Sequence, residues 1–192
     1  MIEQLNTSLA LIIYQTKMNL HVLTIMLGVI WLIFLVTSLD RRLLTFGILP
    51  RRIRGIPGIL FAPLLHANFN HIFFNSIPLV VLSNFLLIHG LHYFLEVTLA
   101  ITLISGFLIW CFGKPGLHIG ASAVITGYWA LLVSDIFKQG TLTAIILGVV
   151  SLYYFAGIFL GVFPGKKGVS WEGHLFGLLA GFAVSFYLIN FF

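Results

Sequence analysis

Charge is the first thing this sequence is short of. Charged residues make up 8% of its 192 positions, and only 5 are acidic. So little charge cannot solvate a water-soluble domain, and 60% hydrophobic residues with a mean hydropathy of +1.10 exclude that class. Cysteine is nearly absent as well: Cys111 stands alone inside an apolar run, so no internal disulfide can form. The start lacks a cleavable signal pattern, because the first strong apolar run begins near Leu20 and is too long for an h-region. There is no His-Glu-x-x-His. His66 and His71 have the wrong spacing and no intervening glutamate, which argues against a zinc metalloprotease. No metal and no cofactor are expected. The net charge of +5 sits on basic residues in loops between apolar runs, where lipid headgroups rather than nucleic acid are the expected partners.

What is present is a series of apolar runs. Spans are expected at about 20–38, 71–88, 93–112, 119–136, 142–163 and 171–192. Each holds about 17–22 residues, enough for a ~30 Å hydrocarbon core at 1.5 Å per residue. Backbone groups must be satisfied within lipid, and these lengths are too great for barrel strands, so the spans are expected to be helices. The expected fold is an all-α polytopic membrane protein, one six-helix membrane domain over 1–192 with no separate soluble domain. Residues 1–19 are mixed and expected at the interface. The connection from Leu39 to Asn70 carries Arg41, Arg42, Arg51, Arg52 and Arg54 but is too apolar for a free linker, so it is expected to pack into the membrane edge.

Spans two, four and six run in one direction. His71 and Asn75 lie in the first turns of the second, Ser122 in the first turn of the fourth and His174 in that of the sixth. All four are therefore expected at similar depth below one face. Polar groups at membrane depth are expensive and usually face a cavity or one another. His71 and Asn75, four apart, share a helix face. His66 does not share it and is expected to brace the preceding loop. Gly173, Gly177 and Gly181 form small-xxx-small steps, and Gly120 and Gly127 offer a matching face on span four, so spans four and six are expected to pack closely. A serine hydroxyl with an imidazole base is the minimum for nucleophilic catalysis. Asp135 lies 13 residues past Ser122, about 20 Å along a helix. Glu172 points to another side of its helix than His174. A Ser122–His174 dyad without a third acid is expected, with the Ser122 backbone N–H, His71 and Asn75 as oxyanion donors.

These pieces resemble the rhomboid intramembrane serine proteases: His66-Ala-Asn-Phe-Asn-His71-Ile-Phe-Phe-Asn75, then Gly120-Ala121-Ser122, then Gly173-His174 followed by Gly177 and Gly181. The resemblance covers spans two, four and six in the family's order. It implies Ser122 as nucleophile, His174 as its base, and His71 and Asn75 as oxyanion helpers. His66, Gly120, Gly173, Gly177 and Gly181 would be structural support. It implies a first loop half-sunk in the bilayer, and substrates that are transmembrane helices of membrane proteins, cut near one surface. Two positions depart from the family's pattern. Ala123 stands where glycine often follows the nucleophile. Thr126 stands where an aromatic commonly packs on the histidine, so His174 needs another support, Tyr128 or Trp171.

The rival within the same fold is a catalytically inactive rhomboid-like protein that binds transmembrane helices. A channel or transporter would spread its ionisable groups through the midplane, whereas here they cluster near one face. The expected location is a bacterial or archaeal plasma membrane. Loop charge favours a cytoplasmic site, while the resemblance implies a site opening to the extracytoplasmic side. The sequence sets no oligomeric state.

Overall fold

The computed structural model of the protein describes residues 2–163 and 170–188. They form helices α1 (Ile2–Leu39), α2 (Gly58–Phe61), α3 (Phe69–Leu87), α4 (Leu91–Phe112), α5 (Ser122–Lys138), α6 (Leu142–Phe155), α7 (Gly157–Leu160) and α8 (Trp171–Leu188). Three of these, α1, α3 and α4, are long and apolar enough to cross a membrane by length and composition alone.

The first helix differs from expectation. It begins at Ile2, not near Leu20, and its 38 residues run unbroken to Leu39. The mixed first stretch stays helical because its polar groups find partners in neighbouring helices. Ser8 Oγ accepts from Thr143 Oγ1 at 3.1 Å, and Asn84 bonds both Thr16 and Asn19. The fifth run also departs: α6 stops at Phe155 and the chain breaks at Ala156 before the four-residue α7. The end of the sixth run, 189–192, lies outside the described residues.

Polar side chains start several helices. Asn68 caps α3 by accepting the His71 N–H at 2.9 Å, Thr141 caps α6, and Ser170 Oγ accepts the Gly173 N–H at 3.2 Å. In lipid, helices are held by close packing and interhelical hydrogen bonds, because no hydrophobic force separates them from the acyl chains. The core lies around α5. Tyr128 is 1% exposed, packs on Phe94, and its hydroxyl lies 2.6 Å from Thr98 Oγ1.

The closest helix pair is α5 with α8. A Cβ on Gly177 would strike the Ala123 carbonyl, and one on Gly181 would strike the Gly127 carbonyl. Two expected members of this contact lie elsewhere. Gly173 meets nothing nearer than Ser170, and Gly120 precedes α5 with φ +115°. The glycine seam is therefore Gly177 and Gly181 against Ala123 and Gly127.

Residues 40–68 form turns and the short α2 outside the long helices. Phe46, Ile53, Leu60 and Phe61 stay exposed on them, a surface suited to lipid. Arg51 was expected at lipid headgroups, but its guanidinium bonds the carbonyls of Cys111 and Gly113 at 3.1 and 2.9 Å. It caps the negative end of α4, which has no basic residue of its own in its last turn.

Gly177→Val is expected to lower stability by about 1–3 kcal/mol, the range for overpacking. Gly28→Val, which meets nothing within 4 Å, is expected to lower it far less. Unfolding midpoints in detergent compare the two, and equal losses would deny the α5–α8 seam its role.

Candidate functional site

His71, Asn75, Ser122 and His174 line one cleft of about 510 Å³, together with Asn68, Asn70, His118 and Ser170 among others. The start of α3 supplies the first two, the first residue of α5 supplies Ser122, and the first turn of α8 supplies His174. Ser122, His118 and Ser170 also border a smaller chamber of about 30 Å³.

The ring of His174 is oriented by backbone. Its Nδ1 lies 2.8 Å from the Gly161 carbonyl, which can only accept, so Nδ1 carries the hydrogen and Nε2 presents a lone pair. A Cβ on Gly161 would collide with that same Nδ1. Neither Tyr128 nor Trp171 provides the support. The Tyr128 hydroxyl is taken by Thr98, and Trp171 lies under the Lys114 ammonium, 5.2 Å from its ring centroid. Thr126, in the place of the family's aromatic, turns its hydroxyl onto the Ser122 carbonyl of its own helix at 2.7 Å. Gly161 was invisible in the sequence. Its contribution is a carbonyl, and the only trace is a glycine small enough to admit an imidazole. Among the described residues no carboxylate pairs with His174.

His71 is oriented the opposite way. Its Nδ1 accepts weakly from the Ala67 N–H at 3.5 Å, which leaves Nε2 as the donor. That Nε2 lies against Gly120, where a Cβ would come within 2.5 Å of it. Asn75 Nδ2 is buried and unpartnered, and sits beside the same glycine. An amide donor without a partner costs free energy unless something else accepts from it. The Ser122 N–H belongs to the first turn of α5, where intrahelical partners are missing.

His66 lies in the loop before α3 and packs on His71. It is fully buried with its ring 5.0 Å from that of His71, edge to face. Burial first, then the neighbouring His71, push its pKa from 6.5 down to about 4, against a weak backbone interaction with Leu64. It stays neutral at ordinary pH.

The loop before Ser122 is stitched to residues 40–68. Ile48 and His118 exchange two backbone bonds of 3.0 and 2.9 Å, and the Gly120 N–H donates to the Ala62 carbonyl at 2.8 Å. Gly120 needs its positive φ here, and it also leaves room for His71.

Comparison with known proteins places this geometry. The Rhomboid domain family matches residues 54–191. An uncharacterised protein of Mycobacterium tuberculosis strain H37Rv is 40% identical over 182 residues, covering 87% of this chain and 75% of its own. An uncharacterised protein of Mycobacterium leprae is 37% identical over 180 residues, covering 88% of this chain and 70% of its own. The chain belongs to the rhomboid family, and it is an integral membrane protein with the family's all-α bundle.

Gly120→Ala is expected to cost about 1–3 kcal/mol, from a side chain at positive φ and its collision with His71. Thermal unfolding in detergent checks it, and an unchanged midpoint would mean that the loop has room to move away from His71.

Proposed function

We propose that the protein is an intramembrane serine endopeptidase that cuts transmembrane-helix substrates near one membrane surface. The observation that carries the reading is the pairing of opposite imidazole orientations in one cleft. His174 presents a lone pair in the cleft that Ser122 also lines, while His71 presents a donor. In this reading the Ser122 hydroxyl attacks the scissile carbonyl and His174 Nε2 takes its proton. The carbonyl oxygen becomes an oxyanion, and the Ser122 N–H, Asn75 Nδ2 and His71 Nε2 stabilise it. Proton return from His174 to the leaving amine ends acylation, and water repeats the sequence on the acyl-enzyme. Gly161 holds the base in its working tautomer, the task a carboxylate performs in a triad.

The same reading makes the protein a single six-helix domain whose partners are membrane proteins and the bilayer. Its membrane is the bacterial plasma membrane, in keeping with the mycobacterial relatives. The site opens to the extracytoplasmic side. Among the described residues, Arg41, Arg42, Arg51, Arg52, Arg54 and Lys114 lie on the site's face, against the usual bias. That bias is calibrated on free loops, and Arg51 is a helix cap.

A fluorophosphonate probe applied to the detergent-purified protein is expected to label Ser122, and Ser122→Ala and His174→Ala are expected to abolish labelling without unfolding the bundle. Asn75→Ala and His71→Ala are expected to slow it about 10- to 1,000-fold. Gly161→Ala should slow it about 100-fold by displacing the base. Absence of labelling in folded wild type would transfer the weight to an inactive, helix-binding rhomboid-like protein.

Orientation has its own measurement. A C-terminal tag in sealed, right-side-out vesicles is expected to resist external protease, because an even number of spans returns the chain to the side of its N-terminus, away from the site. Digestion from outside would place the site in the cytoplasm.

A further inference from the structure

Beside the cleft, a ring of side chains joins the α4–α5 loop to the start of α8. His118 Nε2 lies 2.9 Å from the Lys114 carbonyl, and its Nδ1 lies 3.0 Å from Ser170 Oγ. Ser170 Oγ lies 3.4 Å from Glu172 Oε2, and Glu172 Oε1 lies 3.7 Å from Lys114 Nζ. Ser170 Oγ also accepts the Gly173 N–H. Glu172 is 5% exposed, so its carboxylate depends on these partners.

Counting hydrogens decides the state of the ring. The Lys114 carbonyl only accepts, so His118 Nε2 must carry a hydrogen. In a neutral imidazole Nδ1 is then a lone pair, and it takes the single hydrogen of the Ser170 hydroxyl. Glu172 Oε2 is left facing an oxygen lone pair. In the imidazolium, Nδ1–H donates to Ser170 Oγ, the Gly173 N–H fills the second lone pair, and the hydroxyl hydrogen goes to Glu172. His118, Ser170 and Glu172 Oε2 are all paired only when the ring holds this one further proton, as an imidazolium at His118 or as a carboxylic acid at Glu172, while Glu172 Oε1 makes no hydrogen bond and lies 3.7 Å from Lys114 Nζ. Among the described residues, the other ionisable groups near this ring are Lys114 on the same loop, Arg51, which bonds the Gly113 carbonyl, Glu172 and His174 on α8, and His71, which lines the same cleft from α3. Glu172 is the one acid among them, and a single hydroxyl separates it from the imidazole.

His118 precedes Ser122 by four residues, and Glu172 precedes His174 by two. We propose that His118, Ser170 and Glu172 form a positioning clamp, closed when the ring holds one proton shared between His118 and Glu172, that keeps the Ser122 loop in register with the His174 turn. The proposal rests on the serine-protease reading above and deepens it, adding a proton-dependent control of the same site. None of the three clamp residues touches the reacting atoms. A closed clamp belongs to the protonated ring, so its contribution is lost as pH rises and the shared proton leaves. His174 must lose its proton to act as base, which raises the rate on the acid side. The two together give a bell-shaped profile.

The test is the labelling rate constant of the full-length protein at saturating fluorophosphonate across pH, with unfolding midpoints recorded beside it. Wild type is expected to rise and then fall with pH. His118→Asn, whose amide sets a permanent N–H near the place of Nδ1, is expected to keep the maximal rate and lose the fall at basic pH. His118→Leu should be slower at every pH, by about 10- to 100-fold, the scale of a displaced catalytic group. Glu172→Gln should also lose the basic-side fall. A basic-side fall unchanged in both His118→Asn and Glu172→Gln, with labelling otherwise normal, overturns the clamp and leaves the protease reading standing. No labelling of folded wild type at any pH overturns the protease reading and the clamp with it.

Discussion

Contact between the backbones of α5 and α8 is the constraint on which the rest of the site depends. Gly177 rests on the Ala123 carbonyl and Gly181 on that of Gly127. In lipid such contacts are held by dispersion at short range, which any added carbon destroys. The proposed catalytic pair sits within one turn of this seam: Ser122 adjoins Ala123, and His174 is three residues before Gly177. Helix geometry then transmits the position of the seam to both side chains with little freedom left.

A second constraint acts from the side. The loop that delivers Ser122 has no regular structure of its own, and its backbone groups are satisfied by Ile48 and Ala62 in the first connection. That connection is in turn anchored to α4 by Arg51 and by the Trp110 indole, which donates to the Arg52 carbonyl at 3.0 Å. Buried backbone groups need partners, and here the need is met by chain distant in sequence. The same segment carries exposed apolar side chains, Phe46, Ile53, Leu60 and Phe61, a surface suited to lipid on the scaffold of the loop.

Hydrogen-bond direction gives the three cleft imidazoles different characters. Gly161 makes His174 a potential base, Ala67 makes Nε2 of His71 a donor, and the Lys114 carbonyl makes Nε2 of His118 a donor. All three are set by backbone groups acting on one ring nitrogen. Identical side chains thus carry unlike tasks within one cleft.

The sequence by itself determined the class and most of the helices, because apolar length and scarce charge leave a chain of this kind few alternatives to a helical membrane bundle. Matched depth on alternate runs was also enough to bring Ser122, His174, His71 and Asn75 to one cleft. It misplaced the start of α1, since Ser8, Thr16 and Asn19 of the first stretch find partners in Thr143 and Asn84, far along the chain. It also assigned Gly120 and Gly173 to a helix seam that Gly177 and Gly181 form, because spacing shows which residues share a face and not which face meets a neighbour. The support of His174 was decided by tertiary structure alone. A carbonyl is present at every residue, so nothing in the side-chain alphabet marks the one at Gly161 that turns the ring, and only the folded chain brings it there.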